Sequence, residues 1–249
     1  MRVFFRLFFL ILWILVGFFW LLFFRTFLND VFFKKSLTIF GKGFISICGI
    51  RVLLKSGSVS KNTNNTVIVS NHISWLDIFA IHSLGIPAIF IAKSEIKKWP
   101  LLGVLVSNAG TIFIDRTKRN SILLVLEKCK NLLSQGKTIV FFPEGTTSDG
   151  SKILPFHTSL FSLFLDFSRP KLTPIVIQYK KLGKKTVEPA YIGDMSILDS
   201  IFKVLKSNDL EIHVEILNSV TTQVEKLSGD FLTKRNLAQI VRDRMMTII

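Results

Sequence analysis

Cysteine is scarce in this 249-residue chain, and so is negative charge. The two cysteines, Cys48 and Cys129, sit in apolar or helix-like surroundings with no C-x-x-C spacing. That argues against a disulfide framework and against a structural metal site. The four histidines, His72, His82, His157 and His213, form no H-E-x-x-H pair. No G-x-S-x-G nucleophile elbow is present. Helix-turn-helix and zinc-finger spacings are absent too, as are internal repeats and low-complexity segments.

Only 17 acidic residues stand against 32 lysines and arginines, a formal net charge of +15. Such an excess attracts polyanions, either nucleic acid or anionic lipid. Composition separates the two. Hydrophobic residues make up 49% of the chain and the mean hydropathy is +0.46, more apolar than soluble domains usually are. Many of the 24 phenylalanines crowd into the first part of the chain, in an apolar run. They do not alternate with Arg and Lys as on a single-strand binding surface. The expected partner is the phospholipid bilayer, with no nucleic acid.

Leu7–Phe24 reads LFFLILWILVGFFWLLFF, with Arg2 and Arg6 before it and Arg25 after. About 18 uncharged residues are just enough to cross a hydrocarbon core as a helix. A signal peptide shares the basic start and apolar centre, but no A-x-A-like cleavage site follows, and the run is long and aromatic for one. An uncleaved anchor is expected. Basic residues on both flanks leave open whether it crosses the membrane or lies within it. Ser36–Leu54 is a second apolar stretch, broken by Gly41, Lys42, Gly43 and Arg51, and is expected as a shallower helix beside the first. Residues 1–54 thus form a membrane-associated helical segment, and residues 55–249 a separate domain.

In that domain the texture changes. After a polar linker at Lys55–Asn65, strand-like runs at Thr66–Ser70, Ala88–Ala92, Thr111–Ile114, Thr138–Phe142, Pro174–Tyr179 and Glu211–Leu217 alternate with helix-like ones. The helical runs are Ile73–Ser83, Trp99–Val106, Ser121–Ser134, Ser159–Phe167 and Phe231–Thr247. This alternation predicts an α/β fold: a largely parallel central sheet with flanking helices, preceded by the N-terminal hydrophobic anchor.

Three strands end in polar clusters. After TVIVS comes Asn71-His72-Ile73-Ser74-Trp75-Leu76-Asp77. Ligands of open α/β sheets bind at the carboxyl ends of strands, where His72 falls. Asp77 in the next helical turn is within reach of the imidazole, and a carboxylate on one ring nitrogen leaves the other free as a base. The same spacing also fits a helix cap, Ser74 with Asp77 three residues on. Next, Gly110-Thr111-Ile112-Phe113-Ile114-Asp115-Arg116 ends a buried strand in a charged pair, followed by Thr117, Lys118 and Arg119. The planar fork of Arg116 suits a phosphate, though a surface pair with Asp115 would look alike. Third, Phe142-Pro143-Glu144-Gly145-Thr146-Thr147-Ser148 follows TIVFF. Gly145 permits close backbone approach to a ligand, and Glu144 suits a substrate hydroxyl or a basic neighbour. An ordinary turn explains that segment alone; it does not explain three site-like termini at one sheet edge.

Together these runs, N-H-x-x-x-x-D, G-x-x-F-I-D-R and F-P-E-G-T, resemble the ordered motifs of the glycerolipid acyltransferases, above all the 1-acyl-sn-glycerol-3-phosphate acyltransferases. Thr173-Pro174-Ile175-Val176 resembles their fourth motif, and the likeness spans roughly Thr66–Gln178. It departs at Phe156-His157-Thr158, where family members often carry a basic residue and then Gly-Ala after a Phe. The resemblance implies transfer of a fatty acyl group from acyl-CoA or acyl carrier protein to the free hydroxyl of 1-acyl-glycerol-3-phosphate, giving phosphatidic acid. A lyso-ornithine lipid acceptor and a non-catalytic membrane adaptor are the alternatives. It further implies His72 and Asp77 as the catalytic pair and Arg116, Glu144, Gly145 and Thr146 as acceptor contacts. Lys93, placed after its strand, suits donor or phosphate charge and equally a solvated lysine. No metal or organic cofactor is implied beyond the thioester co-substrate. The expected location is the inner membrane, with the domain on its cytoplasmic side.

Overall fold

The computed structural model describes residues 1–24, 27, 29–58, 64–99, 102–115, 120–165, 170–220 and 233–249. Two helices come first, α1 (Arg2–Phe24) and α2 (Asp30–Ile47), then strands β1 (Ile50–Ser56) and β2 (Thr66–Ser70). Helix α3 (Leu76–Ser83), strand β3 (Ala88–Lys93), a 3-10 turn at Ser94–Lys98, helix α4 (Leu102–Asn108) and strand β4 (Ile112–Ile114) follow. Next are α5 (Ser121–Ser134), β5 (Thr138–Phe141), a 3-10 turn at Ser159–Phe164 and the long β6 (Lys171–Lys181). The chain closes with β7 (Lys184–Lys185), α6 (Ile197–Lys206), β8 (Leu210–Ile216) and α7 (Lys234–Met246).

The strands form one sheet in the order β1-β8-β6-β2-β5-β3-β4, with β7 folded onto β6. All pairings are parallel except those of β6 with β8 and β7. The α/β expectation holds. Central β2, TVIVS, is buried at every position, as a β-branched run covered on both faces must be. Its side chains alternate between two cores. Ile68 joins Leu10, Phe44 and Ile81 from the α1–α3 side. Val67 and Val69 join Cys129, Leu237 and Val241 from α5 and α7.

The expected helix over Ser36–Leu54 is corrected. α2 stops at Ile47, and Gly49, with φ +73°, turns the chain into β1, which pairs with β8. Gly49 is a left-handed helix stop that only glycine adopts freely. It also leaves room for Arg6: a Cβ there would lie 1.8 Å from its guanidinium. Residues 50–54 therefore belong to the sheet, and the line drawn at residue 54 runs through β1. Two elements went unanticipated, α6 and the short β7. Ser159–Phe164 is a 3-10 turn, not the α-helix expected over Ser159–Phe167, whose last two residues lie outside the described part.

Among the described residues α1 is the one helix long and apolar enough to cross a bilayer, and only 17% of its apolar window is buried. Phe4, Phe8, Phe19 and Phe23 are each at least half exposed. A water-facing stripe of this kind is unstable, so the protein is membrane-associated. Yet α1 does not stand free of the domain. Arg6 donates to the carbonyls of Leu205 (3.0 Å) and Ser207 (2.9 Å) at the end of α6. Trp13 donates to Phe40 O (3.0 Å) and stacks on the Phe40 ring at 5.9 Å. The exposed phenylalanines leave the domain surface while Leu10 on the opposite side of α1 is part of the core. Because apolar burial is not screened by ions, attachment should survive a concentrated salt wash of isolated membranes and yield only to detergent. Release by salt alone would make the basic surface, not α1, the anchor.

Candidate active site

β2, β5, β3 and β4 run parallel and release their loops at one edge. His72 lies two residues beyond β2. Its Nδ1 is 2.8 Å from Asp77 Oδ2, and its ring stacks on Phe142 at 4.0 Å between centroids. Against an ionised carboxylate the Nδ1–H is the donor, which leaves the lone pair on Nε2, at a side chain 20% exposed.

Asp77 is fully buried. Oδ2 also accepts the amides of Ile73 (2.8 Å) and Ser74 (3.0 Å), and Oδ1 accepts the Tyr179 hydroxyl at 2.6 Å. The two readings of Asp77 therefore merge: one carboxylate holds both the turn before α3 and the imidazole. Of a capping box only the half from Ser74 N to Asp77 is formed, since the Ser74 hydroxyl faces Leu76 N at 3.4 Å and not Asp77 N. Burial, and then the charge of Asp77, raise the Tyr179 phenol well above its ordinary pKa, so it remains a donor.

Sequence reasoning missed Tyr179 and the role of Asn71. Asn71 exchanges two hydrogen bonds with the Ile177 backbone, Nδ2 to O at 2.9 Å and N to Oδ1 at 2.7 Å. It extends the β2–β6 pairing one step past the end of β2. The signal for Tyr179 was a phenol two residues beyond Ile177 and so on the same face of β6.

Glu144 is buried, with Oε1 accepting His72 N (2.8 Å) and Oε2 accepting Leu154 N (2.9 Å). Burial raises its pKa, opposed by those two amides. Its carboxylate thus ties the His72 loop to the turn after β5. His72 O in turn accepts Ser148 N at 2.8 Å. Gly145 is buried at φ +73°, and Thr146 is exposed at the same turn. The variant segment Phe156-His157-Thr158 lies against this turn, His157 N donating to Pro143 O at 2.8 Å. Lys93 is exposed at the same edge, at the end of β3 and level with Ile114 of β4. Arg116, with Thr117, Lys118 and Arg119, lies outside the described residues. His72, Asp77, Glu144, Gly145 and Thr146 are brought together in one cluster.

Beside this cluster an apolar cavity opens between α1, α2, α3, α4 and β3, lined by Trp20, Leu21, Phe40, Phe79, Phe90 and Leu105 among others. Phe90 stacks on Phe142, which stacks on His72, so a row of rings leads from the imidazole to the cavity wall. His82 also lines it; burial lowers its pKa to about 4 and keeps it neutral there.

A family model described as acyltransferase matches residues 52–178. A 1-acyl-sn-glycerol-3-phosphate acyltransferase of Neisseria gonorrhoeae is 34% identical over 185 residues, 74% of this chain and 71% of that protein. A lyso-ornithine lipid O-acyltransferase of Pseudomonas aeruginosa is 32% identical over 62% of this chain and 59% of its own length. The crystal structure of a 1-acyl-sn-glycerophosphate acyltransferase from Thermotoga maritima shares the fold, with TM-score 0.65 at 22% identity, over 97% of this chain and 95% of that one.

The hydrogen-bond pattern around Asp77 predicts a graded cost. Tyr179→Phe leaves Oδ1 dry and short of one charge-assisted donor, which should lower stability by about 1–3 kcal/mol. The check is a thermal melt in detergent; an unchanged melt would mean that water replaces the phenol.

Proposed function

The chain belongs to the acyltransferase family, and we propose that it acylates the free hydroxyl of 1-acyl-glycerol-3-phosphate to give phosphatidic acid. Acyl-CoA or acyl carrier protein supplies the chain as a thioester. The single observation that carries this reading is the buried Asp77 carboxylate on His72 Nδ1, with Nε2 open at the sheet edge. The name borne by the gonococcal relative supports the choice of acceptor.

In this mechanism His72 Nε2 takes the proton of the acceptor hydroxyl as its oxygen attacks the thioester carbonyl. Asp77 stays ionised and stabilises the imidazolium. The tetrahedral intermediate then expels a thiolate, which recovers the proton from His72. The thioester is already activated, so no acyl-enzyme is required. Glu144 holds the His72 loop in place, while Gly145 and Thr146 at the same turn meet the glycerol and phosphate end of the acceptor. Arg116 and Lys93 supply positive charge for acceptor and donor. The apolar cavity beside α1 takes an acyl chain, since it is lined by rings and aliphatic groups and adjoins the membrane helix. Both thioester donors are cytoplasmic, which favours the inner membrane with the sheet edge turned to its cytoplasmic leaflet.

The Pseudomonas relative favours a second reading, an acceptor of the lyso-ornithine type without that phosphate. Kinetics separate the two. His72→Ala should lower kcat by about 10²–10⁴-fold without loss of fold or membrane binding, and near-normal turnover in the folded variant would remove His72 as the base. Arg116→Ala should raise KM for lysophosphatidate by about 10–100-fold, the worth of a charge-assisted, forked contact, with a smaller effect on kcat. Thioester release with both acceptors, for wild type and Arg116→Ala, reads this directly. A wild type that acylates lyso-ornithine lipid and ignores lysophosphatidate would reverse the choice.

A further inference from the structure

β6 runs parallel to β2, so it ends at the same edge as the His72 loop. It then turns in a tight hairpin, with Lys181 opposite Lys184 and Lys180 opposite Lys185. The two turn residues, Leu182 and Gly183, have φ of +50° and +80°. That is the backbone of a type I′ turn, which suits Asn-Gly or Gly-Gly and strains a leucine. Leu182 is 76% exposed, so core burial does not offset the strain, and Val187 on the return segment is 55% exposed. Lys184 and Lys185 are exposed as well. Among the described residues neither they nor Lys180 pairs with a carboxylate, whereas Lys181 meets Glu188 at 2.6 Å. The tip is thus an exposed, strained aliphatic residue flanked by Lys180, Lys184 and Lys185.

The tip is also joined to α1. Glu188 accepts the Ser207 hydroxyl as well as Lys181, and the Ser207 carbonyl accepts Arg6 of α1 at 2.9 Å. A continuous run of polar contacts therefore links the hairpin to the helix that lies in lipid.

We propose that the Lys180–Lys185 hairpin is a second membrane contact, with Leu182 reaching the acyl region and Lys184 and Lys185 resting on anionic headgroups. The proposal rests on the reading of the His72 edge as the place where a membrane lipid is acylated. An edge that receives a bilayer substrate faces the bilayer, and the hairpin projects from it. Apolar tip and basic collar match the layering of an anionic membrane surface, acyl chains beneath phosphates. With α1, the tip gives the domain two points of support, which sets the tilt of the His72 edge against the membrane.

The test places an environment-sensitive fluorophore on Leu182→Cys in the full chain. Cys48 and Cys129 are fully buried, and burial pushes both thiols up to about 12, so the label goes to position 182. Vesicles of phosphatidylcholine, alone or with phosphatidylglycerol, carry a quencher on their acyl chains. The expected result is a blue shift and lipid quenching, stronger with phosphatidylglycerol. Lys184→Gln with Lys185→Gln in the same labelled protein should weaken the tip's contact by about fivefold per lysine. Water-like emission without quenching overturns the proposal. So does a label that responds to acidic carrier protein and not to vesicles. Equal quenching in both vesicle types overturns the role of the lysines. Thioester release by wild type in detergent micelles is scored separately. Activity without tip quenching sinks the contact alone, and quenching without activity sinks the acyl-transfer reading alone.

Discussion

The carboxylate of Asp77 is the point on which the site turns. A buried anion without partners would cost several kcal/mol or more, and here four donors replace the lost water: two amides, an imidazole and a phenol. They come from the loop after β2 and from β6. Loosening any one of them disturbs the others, because all share two oxygen atoms. A similar device recurs in Glu144, whose two oxygens take amides from the His72 loop and from Leu154. Two buried carboxylates thus hold loops that backbone pairing cannot reach. The imidazole itself is fixed by its hydrogen bond to Asp77 and by the Phe142 ring stacked on it.

Around this pair the fold divides polar and apolar work. The loops at the sheet edge carry charge and hydroxyls. The space between α1, α2 and β3 carries almost only rings and aliphatic groups. The seam between them is the row His72, Phe142 and Phe90. Acyl transfer suits such a boundary, since an acyl chain seeks oil while its reacting end is polar.

Much of this was legible in the sequence because the signals were local. TVIVS, with β-branched residues at four of five positions, gave away a strand buried on both faces, and the N-H-x-x-x-x-D spacing put an acid within one turn of a histidine. What stayed hidden depended on contacts distant in sequence. Tyr179 meets Asp77 across 102 positions, and nothing beside it in the chain hints at that partner. Residues 50–54 looked like the end of an apolar helix because β1 is short and apolar at its start; only the pairing with β8 makes it a strand. For Glu144 the type of contact was open: a carboxylate beside a glycine suits a ligand as well as two amides, and only burial shows the amides. α6 has a strong amphipathic pattern that went unread, with Ile201, Val204 and Leu205 toward the core and Asp199, Lys203 and Lys206 outward.

The bond from Arg6 to the Ser207 carbonyl spans 201 positions. At about 5–20 residues per second, α1 leaves the ribosome roughly 10–40 s before its partner on the far side of the domain exists. During that interval the side of α1 that packs in the core has no core to rest against. Association with a membrane would give that face a holding place until the rest of the core is made. Synthesis without a membrane would leave Leu10 and its neighbours searching for a core that has not yet been made.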